Sequence, residues 1–515
     1  MKRMLKFIIP IINLLFLPCF TAMALPEGEG NRMVILHTND THSNILPASD
    51  GLGGVARRQV VIDSIRNEYP DVLLVDAGDA VQGTLFFTLF EGKVESRLMN
   101  ELGYDIQILG NHEFDSGMDA LVDYASSLKA AKISTNYDFT ETPLDSIFRP
   151  YLIHQSGGNK IGFIAINLNP EGIIYAGNSG ATKYLDGIKA ANATAWHLKH
   201  NEKVDKVVVI THIGYKLPTD YSDFQLAQES EDIDLIIGGH THTLIDPNDT
   251  TSVPSRITNR LGEEVIIAQA GYGGKNIGEV IIDFDRDTIV TSIIPIDSRL
   301  DSRVKPETAD IIESYTRGVD SLMNVKISRC ETDLTKGDWT LVNLIADMIK
   351  TEGERLTGKP VDLAIMNKGG IRCHIPKGNI SEGVVMQMLP FNNKIFVLEL
   401  SGRSLLEAFA VMSSRGGEGV SRGVVIPIDR ETGNYIKAEL FGKPIDPEKT
   451  YLVATLDYLA TGGDYMTPLE DGIVVAQSEN KLYKDILRQL SANYKSKGVV
   501  KADREVRMPL IDKRK

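Results

Sequence analysis

The chain is short of cysteine, of basic charge and of long hydrophobic runs. Only three of its 515 residues are cysteine, and only Cys330 and Cys373 lie beyond residue 24. At most one disulfide can therefore form in that part of the chain, and the sequence leaves the paired and the free state open. A chain of this length is too long for one hydrophobic core, so two or more domains are expected.

Basic residues are outnumbered by acidic ones, 55 to 69, which gives a net charge of −14. Removing residues 1–24 removes three basic and no acidic residues, so the net charge changes from −14 to −17. Because affinity for duplex nucleic acid comes largely from Lys and Arg at phosphates, this balance argues against a nucleic-acid partner. Small anionic substrates stay possible, since bound metal ions reverse the sign of the charge locally.

A long apolar run occurs at the N-terminus, over residues 7–20, and it follows three basic residues, Lys2, Arg3 and Lys6. The small residues of Ala22-Met23-Ala24 come next. This pattern predicts a secretory signal peptide over residues 1–24, too short to be a convincing membrane span. Residues 508–515 are charged, so no hydrophobic C-terminal anchor is expected. We expect a secreted or periplasmic protein without stable membrane insertion.

Residues 31–300 alternate β-rich runs with segments of helical period, such as 55–67 and 94–102. This alternation predicts β-α-β units and therefore an α/β domain with a parallel or mixed sheet. The polar segment over residues 301–325 predicts a linker helix. A second, smaller α/β domain is expected over residues 326–512.

Five polar blocks in the first domain each follow an apolar run that predicts a buried strand. The blocks are Asp40-Thr41-His42, Gly78-Asp79, Gly110-Asn111-His112-Glu113, His212 and Gly239-His240-Thr241-His242. In open α/β sheets, ligands bind at the edge where the strands have their carboxyl ends. Each block alone is more often a turn or a surface pair, but five in this order favour a single cluster of metal ligands.

The types and number of these side chains suit two divalent metal ions rather than one. Two ions about 3.5–4 Å apart clamp a phosphoryl group and acidify a bound water. Asp79 is expected to bridge them, because its strand lies between the two remaining ligand sets. One ion is assigned Asp40, His42 and His242, and the other Asn111, His212 and His240. Mixed nitrogen and oxygen ligands suit Zn, Mn, Fe or Co, and we expect Zn, Mn or Co.

His112 follows the expected ligand Asn111 directly, and Asp115 lies three residues further on. We interpret His112 as a catalytic residue rather than a ligand, a charged partner for the phosphoryl group of the substrate. Asp115 is expected to orient the His112 ring and to raise its pKa.

The order of the five blocks resembles that of the calcineurin-like metallophosphoesterases. The extension to Asn111-His-Glu-Phe-Asp115 and the second domain are similar to the secreted 5′-nucleotidase family, over residues 33–505. This resemblance implies a four-layer α/β/β/α metallophosphoesterase domain with a dimetal site, and a C-terminal domain that binds the nucleoside. It also implies a large rotation between the domains that carries the substrate to the metals.

The resemblance further implies a nucleoside pocket in the second domain. The segment Asn367-Lys-Gly-Gly-Ile-Arg372 is similar to the family's Asn-Gly-Gly-Gly-Ile-Arg turn, in which glycines admit the ligand and the arginine grips an anion. Two aromatic positions stack on the base, and an aspartate accepts hydrogen bonds from the ribose. The residues at all these positions are Asn367, Gly369, Gly370, Arg372, Phe391, Tyr458 and Asp464. Phe is usual where this chain has Tyr458, and by themselves both aromatics would fit a core.

The chain departs from the family near the start of the second domain. An arginine commonly opens the block that here reads Lys336-Gly-Asp-Trp-Thr-Leu-Val-Asn343-Leu. A second arginine often found soon after the position of Arg372 is missing too, although Lys377 lies nearby. Lysine lacks the bidentate geometry of arginine, so we expect a weaker grip on a phosphate or ribose.

We expect a secreted 5′-nucleotidase, which releases phosphate from nucleotides by in-line attack of a metal-activated water. A nucleotide-sugar pyrophosphatase and a 2′,3′-cyclic-nucleotide phosphodiesterase of the same family remain open alternatives. A nucleotide-binding surface protein without activity is a more remote one, and the acidic charge disfavours a nuclease. The base preference and the oligomeric state stay open.

Overall fold

The computed structural model describes residues 31–217, 221–496 and 498–512. The predicted signal peptide, residues 1–24, lies outside these ranges. The described residues form two α/β domains with the helix Pro306–Met323 between them. The two-domain α/β architecture is confirmed, while the boundaries at residues 300, 325 and 512 stay predictions.

Two six-stranded sheets form the first domain. The first sheet has the strand order Thr288–Pro295, Asn276–Asp283, Arg32–Thr38, Val72–Asp76, Ile106–Gln107 and Ala131–Lys132. The second sheet has the order Arg256–Thr258, Glu264–Ala268, Leu235–Ile237, Lys206–His212, Asn159–Asn167 and Tyr151–Ser156. In each sheet four neighbouring strands run parallel, and antiparallel strands complete the edges.

The two sheets pack face to face because their central strands are apolar on both sides. Met33 and Ile35 belong to a core between the sheets, together with Phe163 of the second sheet. Val34 and Leu36 alternate with them and belong to a different core, under the helices. Continuous apolar runs are typical of parallel strands that are buried on both faces.

Helices cover the outer faces of this sandwich and complete four layers. Those near the first sheet are Val55–Glu68, Leu85–Phe90, Lys93–Leu102 and Met118–Ser127, and those near the second are Gly187–His197 and Asp223–Glu229. The predicted α/β/β/α arrangement is therefore confirmed. The helices predicted over 55–67 and 94–102 each lie within one residue of their observed bounds.

The helix Pro306–Met323 starts with a proline in its first turn, where the missing N–H costs no hydrogen bond. Its buried residues Thr308 and Ile312 face the first domain, where the Thr308 hydroxyl contacts the Gln59 side chain. It also contacts the helix Glu382–Met388 of the second domain. The predicted linker helix thus packs against both domains.

The second domain has a five-stranded mixed sheet and its own core. The strand order is Gly419–Val420, Leu363–Met366, Thr450–Leu456, Ile395–Ser401 and Ile473–Gln477. Its helices are Thr340–Thr357, Glu382–Met388, Gly402–Ser414, Asp457–Ala460 and Leu482–Lys495. Short strand pairs surround it, among them Lys326–Cys330 with Gly378–Ser381 and Ile428–Asp429 with Leu510–Ile511.

Cys330 and Cys373 are both free thiols. The Cys330 thiol is buried and lies 3.1 Å from the carbonyl oxygen of Pro376. Among the described residues, no helix combines the length and the apolar character that a membrane span requires.

Candidate metal centre and substrate pocket

The seven predicted metal ligands all lie at the carboxyl ends of parallel strands. Three loops come from the first sheet, after Arg32–Thr38, Val72–Asp76 and Ile106–Gln107. Lys206–His212 and Leu235–Ile237 supply the other groups from the second sheet. The site therefore straddles the edge where the two sheets meet, and neither sheet alone supplies all the groups.

Backbone strain is concentrated in these loops. Asp40, His42, Asp79, His240 and His242 all have a positive φ, from 48° to 78°, a region that residues other than glycine rarely adopt. Such conformations cost about 1–3 kcal/mol each and persist at sites where the surrounding structure fixes them. Five strained residues in one cluster mark it as a functional site rather than a set of ordinary turns.

Asp40, His42 and His242 form the first group that could hold a metal ion. The His242 Nε2 atom lies 3.4 Å from the Asp40 carboxylate and 3.0 Å from the His42 Nε2 atom. Asp40 is fully buried, and burial raises its pKa to about 7, although His212 opposes the shift. A cation between these three groups would favour the ionised carboxylate.

Asp79, His212 and His240 form the second group. The His212 Nε2 atom lies 3.0 Å from Asp79, while its Nδ1 atom lies 2.7 Å from the carbonyl oxygen of Ala77. Since only an N–H can bond to that carbonyl, the Nε2 lone pair of the neutral ring points into the site, as a metal ligand requires. The Asn111 oxygen lies 3.0 Å from His240 Nδ1 and so joins the same group.

Asp79 stands between the two groups, and it also belongs to a third cluster with His42 and His112. Burial alone would raise the pKa of Asp79, but the surrounding histidines hold it well below the usual value. The ring nitrogen His42 Nδ1 is buried without a hydrogen-bond partner, and the buried His212 Nε2 atom has only the Asp79 carboxylate beside it, at 3.0 Å. Ring nitrogens around two carboxylates fit divalent cations of the borderline-soft kind.

Glu113 braces the loops that carry Asp79 and Asn111, and the sequence analysis did not single it out. Its buried carboxylate accepts hydrogen bonds from the backbone N–H groups of Asp79, Ala80 and Gly110, at 3.1, 2.9 and 2.6 Å. A Cβ atom at Gly110 would lie 2.1 Å from the Asp79 carboxylate, so only glycine allows this approach. The carboxylate directly after Asn111-His112 was the signal that could have revealed this role.

His112 and Asp115 are paired as predicted, with 2.7 Å between Nδ1 and the carboxylate. Burial lowers the pKa of His112, but Asp115 and Asp79 outweigh it and raise the pKa above its usual value. The backbone N–H of His112 donates to the Asp79 carboxylate at 2.9 Å. The ring is therefore held next to the metal-ligand groups.

The second domain places an arginine and an aromatic ring directly against this centre. The Phe391 ring is stacked 6.0 Å from the His112 ring, and the Arg372 guanidinium lies 5.8 Å from the Phe391 centroid. Arg372 also donates to the Gln82 side chain of the first domain at 3.2 Å. Two predicted substrate residues thus meet the predicted catalytic pair.

The other predicted substrate residues gather around Asp464. Its carboxylate accepts hydrogen bonds from Asn367 at 2.6 Å and from Arg415, which the sequence analysis missed, at 3.0 Å. Gly369 follows in the same turn, and a Cβ atom at Gly370 would lie 2.8 Å from the Asn367 side-chain oxygen, so a larger residue there would displace Asn367. Tyr458 lies beside them and donates its hydroxyl hydrogen to the first domain.

Lys336 lies beside Arg372, in the block near Asp338 where the resemblance implies an arginine that this chain lacks. Burial, and then the charge of Arg372, lower the pKa of Lys336. No ion pair of Lys336 is found among the described residues. The Lys336 ammonium group therefore places a positive charge in this part of the pocket, but it lacks the planar bidentate geometry of an arginine guanidinium.

Comparisons with known proteins agree with this arrangement. Residues 33–244 match the family model of the calcineurin-like phosphoesterases, and residues 321–471 match that of the 5′-nucleotidase C-terminal domain. The solved structure of a 5′-nucleotidase precursor from Thermus thermophilus has 28% identity and a TM-score of 0.80, with 94% of this chain and 100% of that chain covered.

Curated relatives match most of this chain. The 5′-nucleotidase of Rattus norvegicus is 27% identical over 87% of this chain and 86% of its own length. The trifunctional nucleotide phosphoesterase protein YfkN of Bacillus subtilis is 29% identical over 84% of this chain, which spans only 32% of that longer protein. The chain therefore belongs to the 5′-nucleotidase family of metal-dependent phosphoesterases, with a calcineurin-like phosphoesterase domain followed by a 5′-nucleotidase C-terminal domain.

Proposed function

We propose that the chain hydrolyses nucleoside 5′-monophosphates to a nucleoside and inorganic phosphate. One observation carries this proposal: Phe391, an expected base-stacking residue, lies 6.0 Å from His112 at the edge of the metal-ligand groups. A base against Phe391 would bring its 5′-phosphate to the catalytic pair. If Phe391 lay far from His112, packing in the hydrophobic core would explain its aromatic ring equally well.

The ligand roles follow the three groups described above. Asp40, His42 and His242 would hold one ion, Asn111, His212 and His240 the other, and Asp79 would bridge them, as its membership of two groups supports. Two divalent ions supply an activated water for in-line attack and a Lewis acid for the phosphoryl oxygens. The mixed ligand set fits Zn, Mn or Co and does not choose among them.

The protein's own side chains then position the phosphate and stabilise charge. His112 would act here as the cation, which Asp115 and Asp79 favour by raising its pKa, and would face the charge that develops on the phosphoryl oxygens. Asp115 fixes the ring through the 2.7 Å contact at Nδ1. Arg372 binds the anionic side of the substrate, and Asp464 accepts hydrogen bonds from the ribose.

Two other substrates belong in the same assay. The Bacillus subtilis relative is named a trifunctional nucleotide phosphoesterase, so phosphate esters other than nucleoside monophosphates are included. Without the expected arginine near Asp338, the grip on a simple monophosphate is weaker. A nucleotide-sugar pyrophosphatase would leave a monophosphate from a UDP-sugar, and a cyclic phosphodiesterase would leave a 3′-nucleotide.

Phosphate release from AMP, ADP, ATP, 2′,3′-cyclic AMP and a UDP-sugar, with Mn, Co or Zn supplied, tests the proposal. We expect AMP to give the highest kcat/KM, and His112→Ala to abolish most of the release while the metals stay bound. The UDP-sugar and the cyclic nucleotide are followed by product analysis, because neither alternative reaction frees inorganic phosphate. UMP with a sugar phosphate, or 3′-AMP, as the only product of the chain would assign the alternative function. If the chain binds metal ions but converts none of these substrates, it would be a nucleotide-binding protein without activity.

The proposed location outside the cytoplasm rests on residues 1–24 alone. Cell fractionation of the full chain should recover it from the periplasm or the medium, shortened by the predicted signal peptide. Recovery of the full-length chain from the cytoplasm would contradict this location and leave the catalytic proposal untouched.

A further inference from the structure

A turn of the first domain docks onto the nucleoside turn of the second. The backbone N–H of Asp464 donates to the carbonyl oxygen of Gly172 at 2.7 Å. The Tyr458 hydroxyl lies 3.3 Å from the Gly172 carbonyl and 3.4 Å from that of Ile173, and it accepts from the Asp464 N–H at 3.1 Å. Residues on both sides of the domain boundary therefore share one small hydrogen-bond network.

Both sides of this contact have a backbone shaped for it. Gly172 has a φ of 74°, and a Cβ atom there would lie 3.0 Å from the Tyr465 ring. Asp464 and Tyr465 also have positive φ, at 56° and 61°. Consecutive left-handed residues other than glycine are strained, and such strain persists only where surrounding contacts hold it in place.

The same first-domain segment reaches the catalytic pair at its other end. Six residues after Gly172, the Asn178 side-chain amide donates to the carbonyl oxygen of Asp115 at 3.1 Å. Residues 172–178 therefore connect the nucleoside turn with the residue that orients His112. A displacement of the second domain relative to Gly172 would therefore also shift Asp115.

We propose that Tyr458, Asp464 and the Gly172–Ile173 turn form an interdomain latch, which holds Phe391 against the catalytic pair. Tyr458 is then a positioning residue in addition to its stacking role, because its hydroxyl reaches a partner that a phenylalanine would not reach. The stacking part rests on the proposed function. The latch contacts join protein groups only, so their loss can be measured separately from nucleotide hydrolysis.

Tyr458→Phe is the sharpest test, because it keeps the ring for stacking and removes only the hydroxyl. The matched control is Tyr451→Phe, which removes a hydroxyl that accepts from the Asp446 N–H at 2.9 Å inside the second domain. Gly172→Ala disrupts the latch from the side of the first domain. If this variant misfolds, Tyr458→Phe alone still tests the latch. Small-angle X-ray scattering of the metal-loaded chain reports the domain arrangement without nucleotide.

We expect Tyr458→Phe to lower kcat/KM for AMP about fivefold, the size of one neutral hydrogen bond. Its scattering should shift toward a more extended arrangement, with a larger shift in Gly172→Ala. Metal content should stay as in the wild type, and hydrolysis of p-nitrophenyl phosphate, which has no base, should change less than hydrolysis of AMP. The Tyr451→Phe control should leave all four measurements unchanged.

The latch is wrong if Tyr458→Phe matches the wild type in both scattering and AMP kinetics while Tyr458→Ala loses activity. That outcome would assign the residue to stacking alone. If the wild type hydrolyses no nucleotide, the proposed function fails, but the scattering of the Phe and Ala variants still decides on the latch. The two failures are therefore distinguishable.

Discussion

The metal centre and the nucleoside pocket are built in opposite ways. The metal-ligand groups are fixed within one domain, by strand ends, strained loops and the Glu113 brace. The pocket becomes complete only where the second domain meets the first, through Phe391, Arg372 and the Gly172 turn. In the proposed function, the chemistry is therefore local to one domain, whereas substrate selection depends on the relative placement of the two domains. Variants in the two regions should therefore fail in different ways.

The largest effect is expected from Asp79→Asn, since Asp79 belongs to two of the metal-capable groups. A partner outside the ligand set typically costs about 10–100-fold in metal affinity or activity, and a shared ligand should cost more. Metal analysis after gel filtration should find fewer than two ions per chain, and phosphate release should fall for every substrate. Asp119→Asn, an exposed carboxylate nearby, serves as the control. Full activity with two ions retained in Asp79→Asn would contradict the shared-ligand role.

His112→Ala should come next, with kcat lowered by about 10²–10³-fold, the cost of removing one group that stabilises transition-state charge. Because His112 is not assigned as a ligand, two ions should remain bound. His154→Ala, which removes a histidine paired with Asp71, provides the comparison. If kcat of His112→Ala stays within a few-fold of the wild-type value while both metals are bound, His112 is not a catalytic residue.

Phe391→Ala tests the other side of the comparison. Loss of one stacking ring costs about 1–3 kcal/mol per base, so KM for AMP should rise roughly 5- to 100-fold. Metal content and hydrolysis of p-nitrophenyl phosphate should not change. The control is Phe441→Ala, a ring of the same domain that is 68% exposed. If the loss in Phe391→Ala is equal for both substrates, the ring supports the metal centre rather than the base.

Lys336→Arg should have the smallest effect, and in the opposite direction. An arginine at this position, beside Arg372, would restore a bidentate grip on phosphate. KM for AMP should fall by a few-fold, about the value of one charge-assisted hydrogen bond at a partly exposed site. Lys377→Arg, at an exposed position, should leave KM unchanged. An unchanged KM in Lys336→Arg would show that Lys336 does not contact the substrate.

The same comparison explains what the sequence could predict. All seven ligand positions lie at the ends of apolar runs, and strand ends are local features that periodicity reveals. The apolar run before the Gly110 block, residues 106–109, pairs as a strand only at Ile106–Gln107. The strand ends and the four layers followed from local patterns and from family resemblance, and both are present in the structure.

Contacts between distant segments were not predictable. Glu113 binds backbone N–H groups more than thirty residues away, and Arg415 reaches Asp464 across 49 positions. In the sequence nothing distinguishes Gly172 from other loop glycines, and only the structure shows its contact with Asp464. Such partners depend on how domains dock, which no periodicity or short motif encodes. The sequence therefore predicted the metal centre more completely than the pocket.

The most direct test of the central claim compares AMP with ribose 5-phosphate, which offers the same phosphate without a base. The measurement is kcat/KM for phosphate release by the two-metal chain. If the two domains act together on nucleotides, AMP should be preferred by at least about fivefold, the lower limit for one stacked base. Equal values for the two substrates, or no release from either, would contradict the account.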